Sequence, residues 1–153
     1  MFSRKEASAL RQQFWTAFGM YMQPIPGAEG EKVNWVNYKT GEKDVSFRMQ
    51  AESTGATIAI EVAHKDETLQ ALYFETFRQW KSLFEETLEE EWEWSPQVEN
   101  EGGKIVSLIY TELPDANVFR RDDWPQLISF FKPRIIALDA FWSQVKYGFE
   151  ALR

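Results

Sequence analysis

The chain has 153 residues, a formal net charge of -7 and no cysteine, so disulfides, thiolate catalysis and cysteine-type zinc sites are excluded. The acidic surplus opposes binding of DNA, RNA or anionic lipid over most of the surface, and no apolar run approaches the roughly 20 residues needed to span a bilayer. Aromatics reach 16% and include 7 Trp, unlike a disordered chain, so a single globular domain over residues 1–153 is expected.

The charged start Met1-Phe2-Ser3-Arg4-Lys5-Glu6 lacks the apolar stretch of a secretory signal, which points to the cytoplasm. Ser3 and Glu6 have capping-box spacing, and Leu10, Phe14, Ala17, Phe18, Tyr21 and Met22 share one helical face, which predicts a helix to about Met22. Pro24, Pro26, Gly27 and Gly30 make a loop, and Val33 to Tyr38 reads as a first strand. Val45, Phe47, Met49 and Ala51 then alternate with Ser46, Arg48 and Gln50. After the turn Ser53-Thr54-Gly55-Ala56, Ile58, Ile60 and Val62 alternate with Thr57, Ala59 and Glu61. Matching apolar to apolar pairs Phe47 with Val62, Met49 with Ile60 and Ala51 with Ile58. That register sets Arg48 across from Glu61 on a polar sheet face shared with Gln50.

Asp66 can cap a second helix in which Leu69, Leu72, Tyr73, Trp80, Leu83 and Phe84 keep helical spacing up to the acidic run Glu85 to Glu91. Trp92, Trp94 and Val98 alternate with Glu93, Ser95 and Gln97, and Asn100-Glu101-Gly102-Gly103 turns the chain into Lys104 to Leu113. The spacing predicts a hairpin with Trp94 beside Ile109, Val98 beside Ile105 and Glu99 beside Lys104. Apolar residues lie on both faces of Lys104 to Thr111, which leaves its buried face open. A helix starting near Trp124, capped by Asp122 or Asp123, is expected to end or kink at Lys132, because Pro133 cannot donate a backbone hydrogen bond and crowds the preceding turn. A further helix restarts at Pro133, with Ile135, Leu138, Trp142, Val145 and Phe149 on one apolar stripe. The order α-β-β-β-α-β-β-α predicts an α+β fold, a mainly antiparallel sheet of about five strands with helices packed on one face.

Few residues form a chemical constellation. Asp44 and Glu61 on neighbouring strands half satisfy the pattern of a Mg²⁺-dependent nuclease, in which two carboxylates hold the ion and a nearby lysine steadies the attacking water. Ala63 stands where that lysine belongs, and an Arg48/Glu61 ion pair is the stronger reading. His64 is the only histidine and has no cysteine or second imidazole to join it, so no metal site and no cofactor are expected. Arg120, Arg121, Lys132 and Arg134 are the one local basic concentration and a candidate phosphate patch, although Asp115, Asp122, Asp123 and Asp139 interleave with them. Surplus tryptophan suggests an interface that uses some of Trp15, Trp35, Trp92 and Trp94.

The stretches Leu10 to Gly19, Asn34 to Gly41 and Asp123 to Trp142 resemble an uncharacterised bacterial domain-of-unknown-function family, over nearly the whole chain. In some members the domain follows a nuclease-like region, so the resemblance implies a DNA-processing or defence context without assigning a reaction. The element order is also similar to that of type III secretion chaperones, acidic dimers that bind effector segments. The leading expectation is a non-enzymatic accessory or interaction domain with a protein partner, a homodimer being compatible with it. The alternatives are the nuclease and the chaperone-like dimer; nucleic acid is disfavoured by net charge, and no membrane is involved.

Overall fold

The computed structural model describes residues 2–153. Helix α1 (Arg4–Met22) begins on its capping box: Ser3 Oγ accepts from the Glu6 N–H at 3.1 Å, and the Glu6 carboxylate accepts from the Ser3 N–H at 3.2 Å. Strands β1 (Val45–Ala51) and β2 (Gly55–Val62) follow, then helices α2 (Glu67–Gln79) and α3 (Lys81–Leu88), strands β3 (Glu93–Glu99) and β4 (Ile105–Pro114), and helix α4 (Trp124–Val145). Short 3-10 turns flank α4 at Arg121–Asp123 and Lys146–Leu152. The sheet order is β1-β2-β4-β3, antiparallel throughout.

The sheet has four strands where about five were expected, because Val33 to Tyr38 is a loop. Asn34 Oδ1 accepts from the Asn37 N–H at 3.1 Å and turns the chain there. Trp35, 2% exposed, enters the core and donates its indole N–H to the Ile25 carbonyl at 2.9 Å. One inserted ring, not a ladder, anchors this segment.

The β1/β2 hairpin is tighter by two residues than apolar matching predicts. Phe47 faces Ile60, Met49 faces Ile58 and Ala51 faces Ala56, with the Glu52 N–H bonded to the Gly55 carbonyl across the turn. A two-residue slip preserves every side chain's face, so the buried set is as expected. In the second hairpin Trp94 does face Ile109, but Val98 meets Val106 and Glu99 meets Ile105, because a bulge intervenes between Ser95 and Val98. Pro96 and Gln97, the latter at φ 48°, occupy it. Ile109 and Ser107 of β4 lie on the core side, where the Ser107 hydroxyl donates to Gln70 Oε1 at 2.8 Å. The Gln70 amide in turn donates to the carbonyls of His64 and Ile105, so this fully buried polar side chain is satisfied.

Two helix boundaries also differ. The second helix breaks at Trp80, which ends α2 and starts α3, and a Cβ on Gly148 would lie 2.4 Å from the Trp80 ring, so the C-terminal turn docks against this break. The helix at Pro133 does not break: α4 is continuous across it. Phe130, Phe131, Ile135 and Leu138, all buried on both sides of the proline, hold the two halves in one continuous helix. In that turn the Arg134 guanidinium donates to the Phe130 carbonyl at 3.0 Å. Asp123 precedes α4, but its side chain accepts from the Asn117 N–H and not from the helix.

All helices lie on one side of the sheet. There α1 and the first half of α4 join through Phe14, Trp15, Phe18 and Phe131, with ring centroids of Phe14 and Phe131 6.3 Å apart. The second half of α4 packs with α2, α3 and the C-terminal turn through Phe77, Phe84, Phe141, Trp142 and Phe149. Phe47 of β1 meets Trp142 edge to face, and Trp94 of β3 does the same with Phe74 and Phe84. Trp35 and Trp92 are buried, and Trp15 and Trp94 are partly buried against the same core.

Candidate functional site

No helix among the described residues lies over the opposite sheet face. Period-two alternation sends Ser46, Arg48 and Gln50 of β1, Thr57, Ala59 and Glu61 of β2, and Val106, Leu108, Tyr110 and Glu112 of β4 to this side. Pairing sets them in rows: Ser46, Glu61, Leu108 and Ser95 in one, Arg48, Ala59, Tyr110 and Glu93 in the next, and Gln50, Thr57 and Glu112 in a third. Ala59 is the smallest side chain of the middle row, between the long Arg48 and Tyr110. The result is a trough of about 560 Å³, lined only by strand residues and the turn after β3.

Arg48 and Glu61 are brought together, though diagonally: Arg48 faces Ala59, Glu61 faces Ser46, and Arg48 Nε donates to Glu61 Oε1 at 3.0 Å. The Glu61 side chain is 11% exposed and the Arg48 side chain 57%. Such a pair, open on the arginine side, is screened by water. A double-mutant cycle of Arg48→Ala and Glu61→Gln is expected to give a coupling of roughly 0.2 to 1 kcal/mol in urea unfolding. A coupling above about 3 kcal/mol would mean a far drier site than the exposure of Arg48 implies. Glu61 Oε2 accepts no hydrogen bond among the described residues.

Asp44 stands beyond the start of β1 at φ 63°, exposed, with its carbonyl accepting from the Ala63 N–H. Among the described residues no group of three or more histidine or carboxylate side chains converges, so Asp44 and Glu61 are not joined by a further ligand. The basic residues fall in two pairs, Arg120 and Arg121 before α4 and Lys132 and Arg134 within it. Arg121 lies over the Trp124 ring and donates to Gln13; Lys132 lies over Tyr21; Arg134 grips Glu90 through two nitrogens at 2.9 Å. About 15 Å of helix separates Arg121 from Lys132 and Arg134.

His64 is buried just past the end of β2, its ring centroid 4.1 Å from that of Tyr73 and its Nδ1 without a partner. Burial holds its pKa below the ordinary 6.5, outweighing the nearby Asp44 and Glu42 carboxylates. The unfolded chain therefore takes up a proton that the native one resists. The contribution is complete above about pH 6.5 and is lost as pH falls toward and through the folded value. Urea midpoints of the His64→Phe variant are expected to vary less between about pH 5 and 7 than those of the parent. Parallel curves would refute that role for His64.

A second cleft of about 510 Å³ separates the loop before β1 from α4. Its floor is Asp139, 5% exposed, whose two oxygens accept from the Tyr38 hydroxyl and the Ala28 N–H. Burial and this carboxylate push the Tyr38 phenol well above its ordinary pKa. Both Asp139 oxygens are thus engaged in holding the loop. Glu61, with one oxygen open to the trough, is the carboxylate able to receive something new. The sequence pattern indicated Arg48, Gln50 and Glu61 and put Ala59 on the same face; Leu108 and Tyr110 were missed because the face of β4 was undecided. The pairing of β4 with β2 settles it.

The profile of a family described as a domain of unknown function (DUF4268) matches residues 10–146. No curated protein and no solved structure matches the chain. No helix among the described residues is long and apolar enough to cross a membrane.

Proposed function

The chain belongs to the DUF4268 family, a domain of unknown function, and we propose that it is a non-enzymatic interaction domain that holds a protein partner on the helix-free face of its sheet. One observation carries this reading: a trough in which Leu108 and Tyr110 are part-exposed, over the buried Ala59 and Val106, lies on a sheet whose other face packs the core. A pocket of catalytic groups is a poorer description, since Glu61 is tied to Arg48 and Asp44 lies off the strand. The partner differs from this chain, because an isologous dimer through the trough would set two copies of the same glutamate-rich lining against each other. In a DNA-processing setting the face meets the enzyme's protein surface and not the nucleic acid.

The test is a photo-crosslinking amino acid placed at Leu108, and separately at the exposed Leu72 on α2, in cells that make the protein. Discrete adducts are expected from position 108 and not from 72. Equal yields at both positions, or none at 108, would remove the trough as the contact surface.

A further inference from the structure

We infer that the trough receives an arginine side chain of the partner, flanked on the partner by apolar residues. This rests on the interaction-domain reading above and names its ligand. Four glutamates, Glu61, Glu99, Glu101 and Glu112, line the trough against a single cation, Arg48. A partner that brought carboxylates or phosphates would meet this field with the wrong sign.

Within the field, Glu61 supplies the specific contact. It is 9% exposed, its Oε1 is fixed by Arg48 Nε, and Oε2 is left without a donor. A largely buried carboxylate with one oxygen free favours a second cation more than a rim glutamate does. One row along, on the neighbouring strand β4, the same opening shows the half-buried Tyr110, whose ring carries no cation from this chain among the described residues. A planar guanidinium can stack on that ring while its N–H groups reach Glu61, whereas an ammonium offers no flat face for stacking. The methyl of Ala59 leaves the room for this, and the part-exposed Leu108 gives the flanking residues an apolar seat. The trough is too small for a folded domain to enter, so the ligand is a projecting segment.

The experiment titrates the intact protein into a dye-labelled peptide alternating arginine with leucine and valine, read by fluorescence anisotropy. A matched peptide carries glutamine in place of arginine. The arginine peptide is expected to bind at least about tenfold tighter, and to weaken about tenfold between about 50 and 300 mM salt. Glu61→Gln is expected to lose most of that preference. Because that position is buried, the exposed pair Glu99→Gln/Glu112→Gln serves as a second variant, with at least about a threefold loss. Equal affinity for the two peptides, both lost in Leu108→Gln, overturns the arginine inference while leaving the face an interface. No binding of either peptide also overturns it, and the crosslinks at position 108 then decide the broader reading by themselves. Competition by free arginine as effective as the unlabelled peptide would overturn it too, since the apolar flanks would contribute nothing.

Discussion

Replacing Phe131 with alanine is expected to cost about 3 to 5 kcal/mol of stability, the largest loss among single core substitutions on α4. Phe131 is fully buried and its ring meets those of Phe14, Trp15, Phe18 and Phe130. It is the side chain through which α1 and α4 share one core, so truncation opens a cavity between two helices that neither can close alone. Urea unfolding followed by tryptophan fluorescence measures the effect. Tyr147→Ala, at a position 64% exposed, should stay within about 0.5 kcal/mol and serves as the control. A loss below about 1.5 kcal/mol at Phe131 would mean that the helices repack, and that the aromatic cluster is less fixed than its geometry implies.

The second large effect has the opposite sign. Pro133→Ala is expected to stabilise the protein by about 1 to 3 kcal/mol. Pro133 lies inside a continuous helix, where it deprives the Ser129 carbonyl of its usual donor and crowds the turn before it. Its ring is exposed, so little apolar burial is lost with it. Thermal and urea midpoints should both rise. A fall in either would show that the bend imposed by the ring is needed to seat Phe130 and Ile135, and would shift the account of α4 from tolerance of the proline to reliance on it.

That proline marks where local rules lose to packing. The rule that a helix stops before proline is sound for an isolated segment, yet buried side chains on both flanks outweigh roughly 3 kcal/mol of local cost. Patterns that depend only on neighbours in sequence were legible: the Ser3/Glu6 box, the Asp66 cap, and the alternation that puts Arg48, Gln50 and Glu61 on one face. Register was not, because apolar matching accepts any even slip, and only the turn at Glu52 to Gly55 chooses among them. Val33 to Tyr38 carries strand-like residues, but a hydrogen bond from Trp35 to Ile25 and a turn at Asn34 decide its shape. Pro96 could have warned of the bulge in β3, since proline in a strand belongs at an edge or an irregularity. The candidate site was half legible for the same reason: β1 and β2 alternate cleanly, whereas β4 is apolar on both faces and declares its sides only through its partners.

The partnership of α1 with α4 has a consequence during synthesis. The aromatic stripe of α1 is made early, but the ring that covers it, Phe131, is translated far later. At about 5 to 20 residues per second, Phe14 and Phe18 wait roughly 6 to 23 s for that cover. During that interval the apolar side of α1 lacks the cover that α4 gives it in the finished fold.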